Sequence, residues 1–308
     1  MSKLGRQCRQ RYQLFLFLIP ALIYILVFHY YPMLGVQIAF RDYNPVGGIW
    51  NSEWVGLKHF TRFFKSYQFD RVLKNTLSVS IYSLLLNFPL AIIMSLCMNT
   101  VRNARYKKFV QTVTYMPHFI STVVLVGMLT QIFNPVMGMY GNLYRLFTGT
   151  GGYPMDLLSK AATFPHMYVL SGTWQNLGWN TIIYISALSA VDPELHEAAE
   201  IDGASRFKRI LYIDLPVILP TAAIMLIMDA GRIMNVGFEK VYLMQNTTNL
   251  STSEIISTYV YKTGMSAGTS QFSYASAIGL FNSVVNCVML VVFNSLANRL
   301  GDGGYGLF

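Results

Sequence analysis

EAAEIDGASRFKRILYIDLP, Glu197 to Pro216, is the one long polar island in the second half of an otherwise apolar chain. It predicts two short helices broken at a glycine. Asp192 can cap the first helix, Pro193 suits its first turn, and Glu194 favours its positive end. Gly203 is the residue able to leave a helix in the left-handed conformation. Ser205 can cap a second segment running to Leu215. Ala198, Ala199 and Ala204 keep one surface small enough for a partner's groove to close over it, while Glu197, Glu200 and Asp202 offer charge to that partner. The stretch has the makings of a docking peg between apolar segments.

Those segments set the class. Of 308 residues, 53% are hydrophobic and only 12% charged, where soluble domains average roughly 25% charged. The apolar residues come in blocks of about twenty, the length that crosses roughly 30 Å of hydrocarbon. The chain is expected to be an all-α membrane protein. A net charge of +9 suggests nucleic acid in a soluble protein, but here the basic residues flank apolar blocks, where they set topology. No nucleic-acid partner is expected. Cys8, Cys97 and Cys287 are spaced for neither a metal site nor a disulfide framework.

Taken in order, Lys3, Arg6, Arg9 and Arg11 precede an apolar run from Leu14 that continues toward Phe40. It is long, aromatic at its far end and without a small-residue cleavage site, which favours a retained span over a signal peptide. Within WVGLKHFTRFF, Trp54 to Phe64, the residues Leu57, Phe60, Phe63 and Phe64 recur at helical spacing, as in a helix lying on the outer membrane surface. Further spans are expected at about 76–98, 109–133, 166–191, 216–237 and 274–296, with Pro117 bending the third. Six spans place both termini inside. Twelve Lys and Arg then fall on inner segments and ten outside, with Arg232 in a span, a moderate bias of the expected sign. The division is 1–13 as a cytoplasmic segment, 14–75 as first span and outer amphipathic loop, 76–296 as a core of five spans with a coupling loop at 192–215, and 297–308 as a cytoplasmic tail.

The Glu197–Pro216 stretch resembles the EAA loop of ABC importer permeases, the cytoplasmic element that docks into the ATP-hydrolysing subunit. Glu197, Ala198, Ala199, Asp202, Gly203, Ala204, Phe207 and Leu215-Pro216 fall where the carbohydrate-importer version has them, whereas Asp214 is more acidic than that version leads one to expect. With WVGLKHF, YMPHFIST (Tyr115–Thr122), GTWQNLGWN (Gly172–Asn180), NVGFEKVYLMQN (Asn235–Asn246) and SYASAIGLFNSVVN (Ser273–Asn286), the likeness covers nearly the whole chain and points to permeases for complex oligosaccharides. It implies a type I importer permease fold in a bacterial inner or plasma membrane. It also implies a homologous second permease, a dimer of ATP-binding subunits, and an extracellular solute-binding protein that delivers the oligosaccharide. No cofactor is expected on this chain, and ATP and Mg belong to the partner ATPase, since no GxxxxGK[ST] phosphate loop is present.

Ionisable groups at membrane depth are costly and mark function by default. Asp229 and Arg232 qualify, on one helix face where they can pair with each other or meet substrate. Asn235 extends that face, and such a column suits sugar hydroxyls while aromatic rings suit sugar faces. The candidate pathway is therefore Asp229, Arg232, Asn235, Trp174 and Asn180, although Trp174 and Trp179 are also interface anchors by type. An ion-coupled secondary transporter or channel working without an ATPase is the alternative. It has only the one carboxylate, Asp229, to work with. An intramembrane enzyme would need a nucleophile or metal cluster, and His29, His59, His118, His166 and His196 show no ligand spacing.

Overall fold

The computed structural model describes residues 12–149, 151–265, 271–300 and 306–307. The basic cluster Lys3, Arg6, Arg9 and Arg11, Cys8 and most of the tail after 300 lie outside the described residues. Among the described residues helix dominates, and the only strands are β1 (Arg41–Asp42) and β2 (Glu53–Trp54), an antiparallel pair with Arg41 opposite Trp54. The chain divides into two compact units, the first drawn from Met1–Ser66 and Val260–Phe281, the second from Tyr67–Tyr259 and Asn282–Phe308.

In the first unit, α1 (Tyr12–Ile25) continues through a π-helical turn and a 3-10 stretch to Phe40, so Leu16–Phe40 is long and apolar enough to cross a membrane. The surface helix expected from Trp54 begins only at Lys58, as α2 (Lys58–Phe64). The reason lies at Gly56. Its left-handed φ of 58° turns the chain out of β2, and the amides of Val55 and Gly56 both donate to Phe40 O. Phe63 is then buried against Tyr274 and Phe281, while Leu57 and Phe64 stay exposed.

The second unit opens with α3 (Tyr67–Asn99), which starts nine residues before the apolar stretch that announces it. Asn103 Oδ1 accepts the amides of Arg105 and Tyr106 and so caps α4 (Ala104–Tyr115). Pro117 then closes α4 in a 3-10 turn, and Ser121 caps a new helix, α5 (Thr122–Ile132), at 98° to α4. The bend expected of Pro117 is thus a full break. The further helices are α6 (Met139–Thr148), α7 (Phe164–Leu188), α8 (Pro193–Ile201), α9 (Arg206–Arg209), α10 (Leu215–Ala230), α11 (Phe238–Met244), α12 (Ile256–Met265) and α13 (Phe272–Leu300), with a single helical turn at Leu250–Ser253 between α11 and α12.

By length and apolarity, four helices among the described residues can cross a membrane: Leu16–Phe40, Tyr67–Asn99, Arg206–Ala230 and Phe272–Arg299. The bent α4–α5 pair makes a fifth. Helix α7 has the length but not the apolarity, because GTWQNLGWN lies in its middle. Two apolar clusters hold the second unit together. Val79, Leu125, Leu129, Phe164, Val169, Val241 and Ile255 form one. Ala91, Leu96, Tyr184, Leu188, Ile218 and Ala222 form the other and bind α3, α7 and α10 to one another. Burial of such side chains stabilises by roughly 1.5–3 kcal/mol each relative to exposure in water.

Candidate functional site

The polar island folds as a knob between α7 and α10. Asp192 Oδ1 accepts the amide of Glu194 at 3.0 Å, with Pro193 in the first position of α8. At the other end Gly203 adopts φ 76°, and the Gly203 and Ala204 amides return to Glu200 O and Ala199 O. Ser205 Oγ accepts the Lys208 amide and starts α9, which runs through a π-helical turn, Ile210–Asp214, into α10. Each step follows from local side-chain chemistry. Glu197, Ala198, Asp202 and Gly203 are exposed, while Ala199 and Ala204 are half-buried. Ile201 is 87% and Phe207 72% exposed. Both are large apolar side chains left exposed among the charged residues of the knob.

A second site lies within the helices. A cavity of about 260 Å3 is lined by Ser80, Ser83 and Asn87 of α3, Tyr168 and Asn180 of α7, Asp229 of α10, and Arg232, Asn235 and Gly237 just after it. Four of the five candidate pathway residues therefore share one wall system. Asp229 and Arg232 form no ion pair with each other among the described residues. Asn235 Oδ1 accepts from Asn282 at 2.9 Å and Asn286 at 3.1 Å, and Asn286 Oδ1 accepts the Met234 amide. The Tyr168 hydroxyl accepts the Gly237 amide. Asn87 Oδ1 is buried without a hydrogen-bond partner among the described residues. Such a lining offers hydroxyls, amides, one carboxylate and one guanidinium to a polar solute. The spacing of Ser80, Ser83 and Asn87, three and then four residues apart on an apolar helix, signals this face in the sequence and was not among the candidates.

Trp174 is elsewhere. It lines an apolar cavity of about 360 Å3 with Leu125, Met128, Leu129, Phe133 and Leu170. The rest of GTWQNLGWN clasps the α4–α5 break. Gln175 Nε2 donates to Ile120 O at 2.8 Å, Asn176 Oδ1 lies 2.9 Å from His118 Nδ1, and Trp179 stacks on His118 with ring centroids 4.2 Å apart. Gly178 lets α7 touch α4, since a Cβ there would sit 2.2 Å from Thr114 O. Gly178→Ala is therefore expected to destabilise the protein by about 1–3 kcal/mol net, as overpacking outweighs the roughly 1 kcal/mol alanine gains in helix propensity. Thermal unfolding in detergent measures it, and an unchanged or raised midpoint would contradict this packing.

Residues 87–301 match the family described as the binding-protein-dependent transport system inner membrane component. The polygalacturonan/rhamnogalacturonan transport system permease protein YteP of Bacillus subtilis is 43% identical, over 96% of this chain and 90% of its own length. Protein LplB of the same organism is 43% identical over 94% and 90%. A bacterial ABC transporter involved in the import of the acidic polysaccharide alginate superposes with a TM-score of 0.88 at 35% identity, covering 97% of this chain and 100% of the other. The same holds, over 98% of this chain, for the alginate transporter in complex with an alginate pentasaccharide-bound periplasmic protein. With an apolar helical body, an exposed knob joining two of its helices and a family match over most of its length, the chain belongs to the inner membrane components of binding-protein-dependent transport systems.

Proposed function

We propose that this chain is one of the two permease subunits of an ATP-driven importer of oligosaccharides. It works with a homologous second permease, a dimer of ATP-binding subunits and an extracellular solute-binding protein. The observation that carries the reading is the polar cavity closed by α3, α7 and α10, three helices that also converge on the knob. A push on the knob reaches the cavity wall through the continuous helix Arg206–Ala230. The relatives named for polygalacturonan, rhamnogalacturonan and alginate support a carbohydrate cargo. In this reading α7 is the fourth of six spans, its polar middle turned to protein and cavity, and both ends of the six-span segment face the cytoplasm. The EAA-like residues Glu197, Ala198, Ala199, Asp202, Gly203 and Ala204 form the contact with the ATPase, which brings the ATP and Mg. Trp174, which lines a separate apolar cavity, is left out of the pathway in this reading.

The test is uptake by the complete importer in lipid vesicles, supplied with its binding protein and with neutral or uronic-acid oligosaccharides of equal length. ATP is expected to drive uptake of at least one. Asn180→Leu, which trades a cavity amide for an apolar group, is expected to lower the rate by about tenfold, as one lost directed hydrogen bond plus its desolvation allows. Uptake driven by a proton or sodium gradient without ATP would refute the reading.

A further inference from the structure

Asp214 stands out from its surroundings. It is 2% exposed at the end of the π-helical turn that joins α9 to α10, in a chain where carboxylates are scarce at depth. Its Oδ1 accepts Asn99 Nδ2 at 3.2 Å, from the last residue of α3, and lies 3.2 Å from His196 Nε2 on α8. These partners lie 115 residues before it and on the far side of Gly203. A buried carboxylate is tolerated only where hydrogen bonds hold it, and a π-turn inside a helix is an uncommon conformation that recurs at functional positions. Neither feature is needed to build a helical hairpin. Together they tie three elements at one oxygen atom.

We propose that Asp214 is a positioning residue that locks the knob to the end of α3, so that a displacement of the knob moves α3 as well as α7 and α10. The inference rests on reading the knob as the element that docks to the ATPase. Helix α10 is continuous with the knob through α9, and α7 joins it by the short turn 189–192, so both follow it through the backbone. Helix α3 carries Ser80, Ser83 and Asn87 of the cavity and is not adjacent to the knob along the chain. Besides the apolar cluster that packs α3 on α10, its polar ties to the knob are the Asp214 cluster and the Arg102–Glu200 pair at 3.3 Å, Arg102 standing three residues past the helix end. That pair is largely exposed, and such pairs contribute little. The Asp214 cluster is the buried polar tie, the one that reaches past Gly203 to α8.

The experiment uses the complete importer in lipid vesicles and reads sugar moved per ATP hydrolysed, with the amount of co-purifying ATPase measured in parallel. Asp214→Ala, which orphans Asn99 and His196, is expected to lower sugar moved per ATP by about tenfold, and Asp214→Asn, which keeps an acceptor oxygen, by about threefold or less. His196→Ala is expected to lower it too. The double variant Asp214→Ala with His196→Ala should fall no further than Asp214→Ala alone, because groups acting through one contact are not additive. If Asp214→Ala does not accumulate, His196→Ala and Asp214→Asn decide the question alone. An unchanged ratio in those two, or losses that add in the double variant, would overturn the latch. Ile201→Asp with Phe207→Asp separates the two readings: it should release the ATPase from the complex if the knob docks there. A complex that keeps its ATPase in that variant removes the docking reading itself, whereas a failed latch leaves ATPase release intact.

Discussion

Glu197→Lys combined with Gly203→Val is expected to abolish substrate-stimulated ATP hydrolysis by the assembled importer, a fall of about a hundredfold or roughly 2.7 kcal/mol in the coupled barrier. Gly203 sits at φ 76°, and a Cβ there would meet nothing within 4 Å. The demand for glycine is thus conformational. An ordinary residue in the left-handed region costs roughly 1–2 kcal/mol, and a β-branched one is a genuine outlier. With open space around it, the loop can relieve that strain only by changing the angle between α8 and α9. The knob survives but points elsewhere. Reversing the exposed charge at Glu197 then removes the contact that could redirect it. Gly203→Ala alone should cost only about 1 kcal/mol of local stability and a few-fold in stimulation. The measurement is ATP hydrolysis with and without sugar-loaded binding protein, alongside the thermal midpoint of the permease. Full stimulation retained in the double variant would mean that force enters this chain elsewhere.

The knob was legible in the sequence because its determinants are local. Asp192, Gly203 and Ser205 bond backbone groups two or three residues away, and Pro193 takes the first position of α8. Asp214 was legible only as a misfit, since its partners come from Asn99 and His196, and no window along the chain brings those together. The apolar blocks announced the helices but not their ends: α3 begins at Tyr67 because Asp70 in its first turn suits the positive end of the helix dipole. Pro117 announced a bend. The 98° break also needs the Ser121 cap and the Gln175 side chain that satisfies Ile120 O, one local and one distant.

The polar cavity was half legible. Asp229, Arg232 and Asn235 declare themselves because charges and amides are conspicuous on an apolar helix, and Asn180 lies across the cavity from them. Serine is not conspicuous, since in a helix it commonly satisfies its hydroxyl on its own preceding turn, so Ser80 and Ser83 carried no signal as single residues. Trp174 sits apart from that cavity. Its neighbours Gln175, Asn176 and Trp179 hold the α4–α5 break, and a helix that spends one face on that clasp turns Trp174 toward an apolar cavity. Residue type names what a side chain can do, but the face it occupies is decided by neighbours far along the chain.

Asn249→Ala is expected to be the most destabilising single change in the second unit, by about 3–5 kcal/mol. Asn249 is fully buried and its amide is fully used. Nδ2 donates to Leu158 O at 2.9 Å and Met244 O at 3.0 Å, while Oδ1 accepts the Asn246 amide at 3.0 Å and the Ser253 hydroxyl at 2.8 Å. An asparagine side chain can satisfy two donors and two acceptor lone pairs, so nothing is left over. Alanine leaves the Met244 carbonyl and the Asn246 amide without these partners in a buried site, and burial without a partner costs about 1–3 kcal/mol each. Leu158 O is partly spared, since Asn246 Nδ2 also reaches it at 3.3 Å. Asn249→Asp is the sharper probe. It keeps the shape but sets an oxygen against both carbonyls, so the loss should equal or exceed that of alanine even though no volume is removed. Denaturant unfolding of the detergent-solubilised permease measures both, together with protease cleavage at 245–254. That segment is stitched to residues 158–161 by Thr248 Oγ1 on Ser159 O and Thr252 Oγ1 on Ala161 O as well as by Asn249. If Asn249→Asp were as stable as the native protein, the hydrogen bonds would not be what holds the two loops together, and packing of Met244 and Ile255 into the adjacent apolar cluster would have to do so instead.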